Sequence, residues 1–317
     1  MTDLSVGGRD RDPASAQTKG YLMVAAAGAL WGTIGLFATL LDQLGMGPAA
    51  VAFYRLLAAS LLLIPVLLVK GRGLRLFRIS RRGLLSCLLI GFISQALYNL
   101  CYMQAIRQGG MATAAVLLYT APVFVALMSR LFFREPLGPR KWLAIAVNIL
   151  GCLLTATGGD LSQLSLRSGG LLMGVLAGFT YGTMPVFSRI GADKEDPFTS
   201  TFYGLLPGAL LLGVLVRPWR DAAAAVFTPR LFLVLLGFGV IPSALAYVIY
   251  FGGLNRVRET SRVPVLCSVE SIAAALIGAA VFGQSLSPVK AAGVALVFFS
   301  IVIMNLQPRR KEAAAAS

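Results

Sequence analysis

The sequence predicts an all-α polytopic membrane protein, and composition and periodicity together indicate this class. Hydrophobic residues make up 57% of the 317-residue chain and charged residues only 13%, about half the charged share of a soluble domain. Apolar runs of about 20 residues, the length that crosses a membrane as a helix, recur along the chain. The ~10-residue alternation of a membrane β-barrel is absent from the sequence.

Ten such segments can be counted between two polar tails. Residues 1–19 are predicted to be a disordered cytoplasmic tail, and residues 307–317 form a second cytoplasmic tail. The first segment is too long for the core of a signal peptide and is followed by others, so we retain it as a spanning helix. We number the predicted helices α1 to α10, at residues 21–41, 48–69, 83–106, 111–133, 142–158, 169–190, 198–216, 231–252, 263–284 and 287–306.

The lysine and arginine residues predict the orientation of these helices. If the N-terminus is inside, the inner loops and tails hold 20 of the 28 basic residues and the outer loops hold six. This asymmetry predicts a multi-pass protein of the cytoplasmic membrane with both termini in the cytoplasm. The same rule accounts for the net charge of +15, so a nucleic-acid partner is not predicted.

The supply of reactive residues excludes several other classes of function. The chain has no histidine, and its four cysteines all fall within apolar segments. There they are expected to be small buried hydrophobes, not a disulfide framework or a metal set. Because the sequence contains no phosphate-binding loop and no nucleophile–base pair, we predict neither an enzyme nor a cofactor.

An internal repeat divides the helices into two groups of five. Each half holds an odd number of helices, so the second half must enter the membrane from the opposite side. Such inverted repeats place the substrate site near the middle of the membrane. The predicted halves are residues 20–158 and 169–306. The matching stretches are 30–37 with 180–187, 96–102 with 244–250, and 121–137 with 270–286, at offsets of 150, 148 and 149.

Several short motifs carry a family resemblance over residues 20–306. They are Trp31-Gly32-Thr33 in α1, residues 53–59 in α2, Tyr119-Thr120-Ala121-Pro122 in α4 and the following Arg134-Glu135-Pro136-Leu137. Together they resemble the drug/metabolite transporter superfamily, in its ten-helix EamA-type branch. The resemblance implies export, less often import, of amino acids and other small metabolites. It also implies a central cavity lined by α1, α3, α4, α6, α8 and α9.

The second half departs from the family pattern at two positions. Ser271 stands where the family usually has proline, which argues against a matched helix kink in both halves. Gln284 stands where it usually has glutamate, which indicates that the corresponding Glu135 has a structural role at a helix end.

The most informative residue is Glu270, a carboxylate set into the apolar α9. A charge in a spanning helix costs several kcal/mol unless it faces a partner, a cavity or water, so it marks a functional site by default. Glu270 is predicted to bind a substrate amine or to carry a coupling proton. The alternative is an ion pair with Arg55, the basic residue that lies well inside α2.

Aromatic and polar side chains on neighbouring helices complete the predicted site, because polar groups inside a membrane must find partners. For example, α8 carries Ser243, Tyr247 and Tyr250 on one face. The candidate substrate-binding residues are Trp31, Thr33, Tyr98, Asn99, Tyr102, Tyr119, Tyr181, Tyr247, Tyr250 and Glu270, and the coupling or ion-pair candidates are Glu270 and Arg55.

We therefore predict a secondary transporter of small metabolites that exports amino acids or related amines by alternating access around a central cavity. The expected partners are a small-molecule substrate and the lipid bilayer, with protons as a candidate coupling ion. A monomer is expected, and a dimer stays open. The alternative is a lipid-handling flippase or a non-transporting subunit of an envelope-modifying system, whose cavity would open sideways to lipid.

Overall fold

The computed structural model describes residues 13–164, 168–191, 194–221 and 228–306. Within these ranges the chain is helical and contains no strand. Nine helical stretches are long and apolar enough to cross a membrane, and Ala121–Phe133 is a shorter apolar helix. One of the nine, Arg81–Leu118, has non-helical backbone angles at Gly110 (φ 82°, ψ 165°). It therefore contains the third predicted spanning helix and, after Gly110, the first part of the fourth. The predicted ten-helix membrane fold is confirmed.

The helices keep the numbering given above. In order, α1 is Pro13–Trp31 and Ile34–Gln43; α2 is Pro48–Lys70; α3 is Arg81–Leu89, Ile90–Leu97 and the start of Tyr98–Leu118; α4 is the end of that helix (residues 111–118) and Ala121–Phe133; α5 is Pro139–Thr157; α6 is Ser168–Gly191; α7 is Pro197–Val216; α8 is Pro229–Gly239, Val240–Leu245 and Ala246–Leu254; α9 is Val263–Cys267 and Val269–Phe282; and α10 is Pro288–Asn305.

The predicted N-terminal tail is shorter than residues 1–19. Residues 13–19 are helical and begin α1, with Pro13 at the first helical position. The Gln17 amide donates a hydrogen bond to the Tyr21 hydroxyl (2.6 Å) one turn along, which supports this extension. Residues 1–12 and the tail at 307–317 lie outside the described residues.

Both ends of the described chain lie on one side of the molecule, which we call the terminal face. Arg140, at the start of α5, donates a hydrogen bond to the Leu306 carbonyl after α10 (3.0 Å). The loops between α2 and α3, α4 and α5, α6 and α7, and α8 and α9 share this face. The remaining loops lie on the other side, the opposite face.

Matched interruptions of α4 and α9 relate the two halves. The first break lies at Tyr119 and Thr120, and the second at Ser268, which corresponds to Tyr119 at the offset of 149. In α4, Pro122 has no amide to donate to the preceding turn. In α9, the Ser268 and Ser271 hydroxyls donate to the Val265 and Ser268 carbonyls (2.6 and 2.8 Å) and so compete with the helix. The argument from Ser271 against a matched kink was therefore wrong.

Two further backbone features recur in both halves. The π-helical stretches Ile90–Leu97 in α3 and Val240–Leu245 in α8 occupy corresponding positions. Helices α4 and α9 both end on a left-handed residue, Arg134 (φ 55°) or Gly283 (φ 64°), followed by an amide that donates six residues back. The inverted repeat is thus present in the backbone as well as in the sequence.

A close approach of α1 to α9 positions the site. A Cβ atom on Gly32 would lie 2.5 Å from the Ala273 Cβ and 2.8 Å from the Glu270 carbonyl oxygen. Only glycine leaves space for this contact. The break in α1, between Trp31 and Ile34, therefore lies directly beside Glu270.

Candidate substrate cavity

A cavity of about 430 Å³ runs from the middle of the helix bundle towards the opposite face, a volume typical of small-molecule sites. Its deep end contains Trp31 and Glu270, and its outer end contains Asp42 and Met111. The full lining is Trp31, Ile34, Gly35, Ala38, Thr39, Asp42, Met46, Pro48, Val51, Ala52, Arg55, Tyr98, Asn99, Tyr102, Met103, Ile106, Met111, Tyr181, Phe238, Tyr247 and Glu270.

Aromatic rings pack against one another around the deep end. The Trp31 ring lies 5.2 Å from Tyr247 and 6.4 Å from Tyr181, measured between centroids. The Tyr98 ring lies 5.4 Å from Tyr181 and 5.7 Å from Tyr102. These distances are those of interlocked aromatic pairs, which hold each ring in a defined orientation. The deep end is therefore a preformed aromatic wall.

Two opposite charges face this cavity without pairing. Arg55 is 6% exposed and Glu270 is partly buried, yet no ion pair within 4.0 Å joins them in the described part of the chain. The Arg55 guanidinium instead lies 5.9 Å from the Phe238 ring centroid and close to the Tyr247 hydroxyl. The ion-pair alternative is therefore not observed, because α8 rather than α9 supplies the immediate neighbours of Arg55.

Trp31, at the deep end of the cavity, carries a buried donor without a partner in the described part of the chain. Trp31 is 2% exposed, and its Nε1 atom has no hydrogen-bond partner among the described residues. A buried donor without an acceptor costs about 1–3 kcal/mol. An acceptor on a bound molecule would remove that cost.

The predicted site residues divide into three groups. The cavity brings together Trp31, Tyr98, Asn99, Tyr102, Tyr181, Tyr247, Glu270 and Arg55. Tyr119 lies instead at a smaller cavity on the other side of Glu270. Thr33 donates its hydroxyl to the Leu30 carbonyl (2.7 Å), and Tyr250 packs its ring 5.0 Å from Trp31 with 2% exposure. Neither Thr33 nor Tyr250 lines the cavity, so their predicted contact with substrate is not supported.

One wall of the cavity was not expected. The resemblance implied α1, α3, α4, α6, α8 and α9, but α2 also contributes Pro48, Val51, Ala52 and Arg55. Phe238 and Met103 are further lining residues that the sequence analysis missed. They carry no polar group, and an apolar side chain in an apolar helix gives no signal of which way it faces.

A group of polar side chains closes the terminal face below the cavity. We call Glu135, Arg189, Thr260 and Ser261 the terminal network. The Glu135 carboxylate, 5% exposed, forms an ion pair with Arg189. It also accepts hydrogen bonds from the amides of Thr260 (2.7 Å) and Ser261 (3.1 Å) and from the Ser261 hydroxyl (2.6 Å). The network therefore ties the end of α4 to the end of α6 and to the linker before α9.

A further carboxylate at the terminal face, in the linker before α9, is more exposed. Glu259 pairs with Lys141 (2.7 Å) and with Arg262 (2.9 Å). Burial acts to raise the pKa of Glu259, but the hydrogen bonds and charges of Lys141 and Arg262 outweigh burial and hold that pKa below its ordinary value.

A separate pocket of about 200 Å³ lies at the terminal face. We call it the terminal pocket; its lining includes Pro185, Arg189, Leu254, Thr260 and Val263. The buried side chains of Trp31, Met184, Tyr250 and Leu266 belong to one hydrophobic cluster. That cluster also contains Leu254 of the terminal pocket and Tyr247 of the large cavity, so it connects the two sites. No group of three or more His, Cys, Asp or Glu side chains that could hold a metal occurs in the ranges that the structure describes.

Comparison with known proteins agrees with this architecture. The model of the EamA-like transporter family matches residues 18–157 and again residues 168–306. The chain belongs to the EamA-like transporter family. It is therefore a multi-pass membrane transporter of the drug/metabolite transporter superfamily.

Several relatives match over most of their length. An uncharacterized transporter of Archaeoglobus fulgidus is 28% identical over 90% of this chain and 95% of its own. The inner membrane transporter YicL of Salmonella typhimurium is 26% identical over 94% of this chain and 98% of its own. The transporter YdfC of Bacillus subtilis is 30% identical over 67% of this chain and 68% of its own. Since each of these relatives is described as a transporter, the lipid-handling alternative is not favoured.

A solved crystal structure supports the fold independently. It matches this chain with a TM-score of 0.72 at 17% identity, covering 94% of this chain and 100% of the other. At this identity the likeness shows the fold alone.

Proposed function

We propose that this chain is a secondary transporter that exports zwitterionic amino acids or related amines across the cytoplasmic membrane, with both termini in the cytoplasm. The proposed substrate class rests on one observation: Arg55 and Glu270 line the same aromatic cavity without forming an ion pair. A zwitterion offers each of them a partner: its ammonium group suits Glu270, and its carboxylate suits Arg55. Charges that face a cavity inside a membrane helix are expensive without such a partner.

The uncharged lining fits the same cargo. The faces of Tyr98, Tyr102 and Tyr181 attract an ammonium group through cation–π interactions worth about 0.5–2 kcal/mol. The free Trp31 Nε1–H can donate to the carboxylate. The apolar residues Met103, Ile106 and Phe238 leave a wall for a hydrophobic side chain.

The two pockets support alternating access. The large cavity reaches the opposite face, whereas the terminal network closes the terminal face and packed side chains of the cluster that contains Trp31, Met184, Tyr250 and Leu266 connect the large cavity to the terminal pocket. With the terminal face in the cytoplasm, as the placement of basic residues favours, this is an outward-facing state. Both walls of the cavity come from one chain, so a monomer suffices for transport.

Counterflow into liposomes tests the cargo with three probes: a neutral amino acid, the matching amine that lacks the carboxylate, and the matching carboxylate that lacks the amine. The wild type is expected to exchange the first two. Glu270→Gln is expected to lose both, while Arg55→Gln is expected to lose the amino acid and keep the amine. Glu259→Gln, which removes a carboxylate outside the cavity, is the matched control and should exchange normally.

Two results would contradict the proposal. One is the absence of counterflow with any probe from protein shown to be folded. The other is unchanged amino-acid and amine exchange in Glu270→Gln, which would give Glu270 a structural role only.

A further inference from the structure

A second cavity, much smaller than the first, lies between the interruptions of α4 and α9. Its volume is about 20 Å³, enough for a single water molecule or ion. It is lined by Leu118 and Pro122 from α4, by Ser268 and Glu270 from α9, and by Asn148 from α5. Glu270 therefore lies between the two cavities and contributes to both.

Asn148 brings an unpartnered acceptor to this small cavity. Its side chain is 0% exposed, and its Nδ2 atom donates to the hydroxyls of Ser268 (2.6 Å) and Ser300 (3.0 Å). Both hydroxyls donate to carbonyls of their own helices, at Val265 and Val297. They therefore have no proton left for Asn148, and its Oδ1 atom has no donor.

The helix interruptions add further acceptors. The Leu118 carbonyl lacks its usual intrahelical donor because residue 122 is proline. In α9, the Ser271 amide donates to the Ser268 carbonyl (3.0 Å) instead of to Cys267 one turn back, and the freed Cys267 carbonyl lies against Gly28 of α1. Carbonyl groups freed in this way at broken membrane helices can coordinate small cations.

We propose that the small cavity binds one sodium ion, with the Glu270 carboxylate, the Asn148 Oδ1 atom and the Leu118 carbonyl among its ligands. These groups are hard oxygen ligands, which suit alkali and alkaline-earth cations. Glu270 supplies a single negative charge, which balances a monovalent ion and not a divalent one. The volume favours sodium over the larger potassium ion.

The position of Glu270 gives this site a consequence for transport. Glu270 contributes to both the small cavity and the large cavity, so a sodium ion in the first and a substrate ammonium group in the second compete for the same negative charge. Each is expected to weaken the binding of the other by the same factor. This consequence rests on the proposed function, and it would make the chain an exchanger of sodium for amines.

Purified wild-type protein tests the sodium site without any substrate. Thermal stability and equilibrium binding of radioactive sodium would be measured in sodium, potassium and choline chloride at constant ionic strength. We expect saturable stabilisation and one bound ion in sodium alone. Asn148→Ala is expected to weaken the apparent affinity at least about tenfold, as the loss of supporting groups does at other metal sites.

Cys152→Ala is the matched control, because Cys152 is buried one turn along the same helix, with its thiol 3.8 Å from the Ser271 hydroxyl, and does not line the cavity. It should bind sodium as the wild type does. If Asn148→Ala does not fold, the comparison of the wild type in sodium, potassium and choline still decides. Equal stability of the wild type in the three salts would overturn the proposal, as would unchanged sodium affinity in folded Asn148→Ala.

The two proposals can fail separately. Amine counterflow that is the same in sodium and in choline, with no bound sodium, would overturn the sodium site and leave the cargo standing. Specific sodium binding without counterflow of amino acids or amines would support the sodium site and contradict the proposed substrate class.

Discussion

Neutralising Glu135 should open the terminal face. Its carboxylate pairs with Arg189 and accepts three further hydrogen bonds from Thr260 and Ser261. Hydrogen bonds to a charged group contribute about 1.5–3 kcal/mol each and neutral ones about 0.5–1.5 kcal/mol. A glutamine would weaken all of them and would place an amide donor among donors. We expect Glu135→Gln to destabilise the closed terminal face by about 3 kcal/mol, the lower end for breaking a buried pair.

This loss falls on one conformation only. When the terminal face opens, water solvates the carboxylate and the network is absent, so the substitution has little effect there. About 3 kcal/mol corresponds to a shift of more than about 100-fold in the equilibrium between the two conformations. Glu259→Gln is the matched control at the same face, because the pair of Glu259 with Lys141 is partly exposed and contributes at most about 1 kcal/mol.

Labelling of single cysteines with a membrane-impermeant maleimide, in a cysteine-free background, measures the shift. Leu254→Cys reports on the terminal pocket and Met103→Cys on the large cavity. In Glu135→Gln, labelling at position 254 should accelerate at least tenfold while labelling at position 103 slows. Faster labelling at both positions would indicate general loosening, and an unchanged pair of rates would show that the terminal network does not control access. Either result would refute the reasoning.

Three further predictions concern the site and its surroundings. Gly32→Ala should lower the midpoint of thermal unfolding by the equivalent of about 1–3 kcal/mol of overpacking, because the new methyl group meets Ala273 and the Glu270 carbonyl. Gly35→Ala should not lower the midpoint, because no atom lies within 4 Å of its new methyl group. Equal effects of the two substitutions would contradict the close α1–α9 contact. Trp31→Phe should weaken amino-acid binding at least about tenfold, the lower end for a hydrogen bond to a charged group, and should spare the matching amine in competition assays. Equal losses for the two compounds would exclude a contact between Trp31 and the carboxylate. Because the folded pKa of Glu259 is lowered, its pairs stabilise the protein fully above the ordinary value of 4.5 and lose that contribution as the pH falls below it. The wild type should therefore lose up to about 1 kcal/mol more than Glu259→Gln between pH 7 and pH 3, and parallel unfolding curves for the two proteins would contradict this.

The sequence was sufficient to locate the helices and to single out Glu270, because both depend on the difference in polarity between a residue or segment and its neighbours along the chain. Apolar runs identify membrane helices whatever their neighbours are, and Glu270 stands out because its surroundings are apolar. Residues that line the cavity were harder to select, because lining depends on helix phase and depth. Thr33 lies where α1 breaks, and Tyr250 lies one turn below Tyr247, under Trp31, so neither residue lines the cavity. Their contact with substrate stays a prediction.

Asn148 shows a different limit. An asparagine in a membrane helix indicates a polar contact, but the sequence does not say which of its atoms is left without a partner. That depends on Ser268 and Ser300, which come from two other helices and already donate to their own backbones. Such information exists only once α5, α9 and α10 have packed together.

The two halves share a backbone but not their charges, and this difference explains the observed conformation. Glu135 and Gln284 occupy corresponding positions, each after a left-handed helix end. Glu135 is buried in the terminal network, whereas Gln284 is exposed at the opposite face. In an inverted repeat, the half that closes more firmly determines which face stays open. Within the ranges that the structure describes, the ion pairs lie at the terminal face, which favours a cavity that opens to the opposite face. Replacing Gln284 with glutamate would not suffice to reverse this preference, because the matching partners Arg189, Thr260 and Ser261 belong to the terminal face.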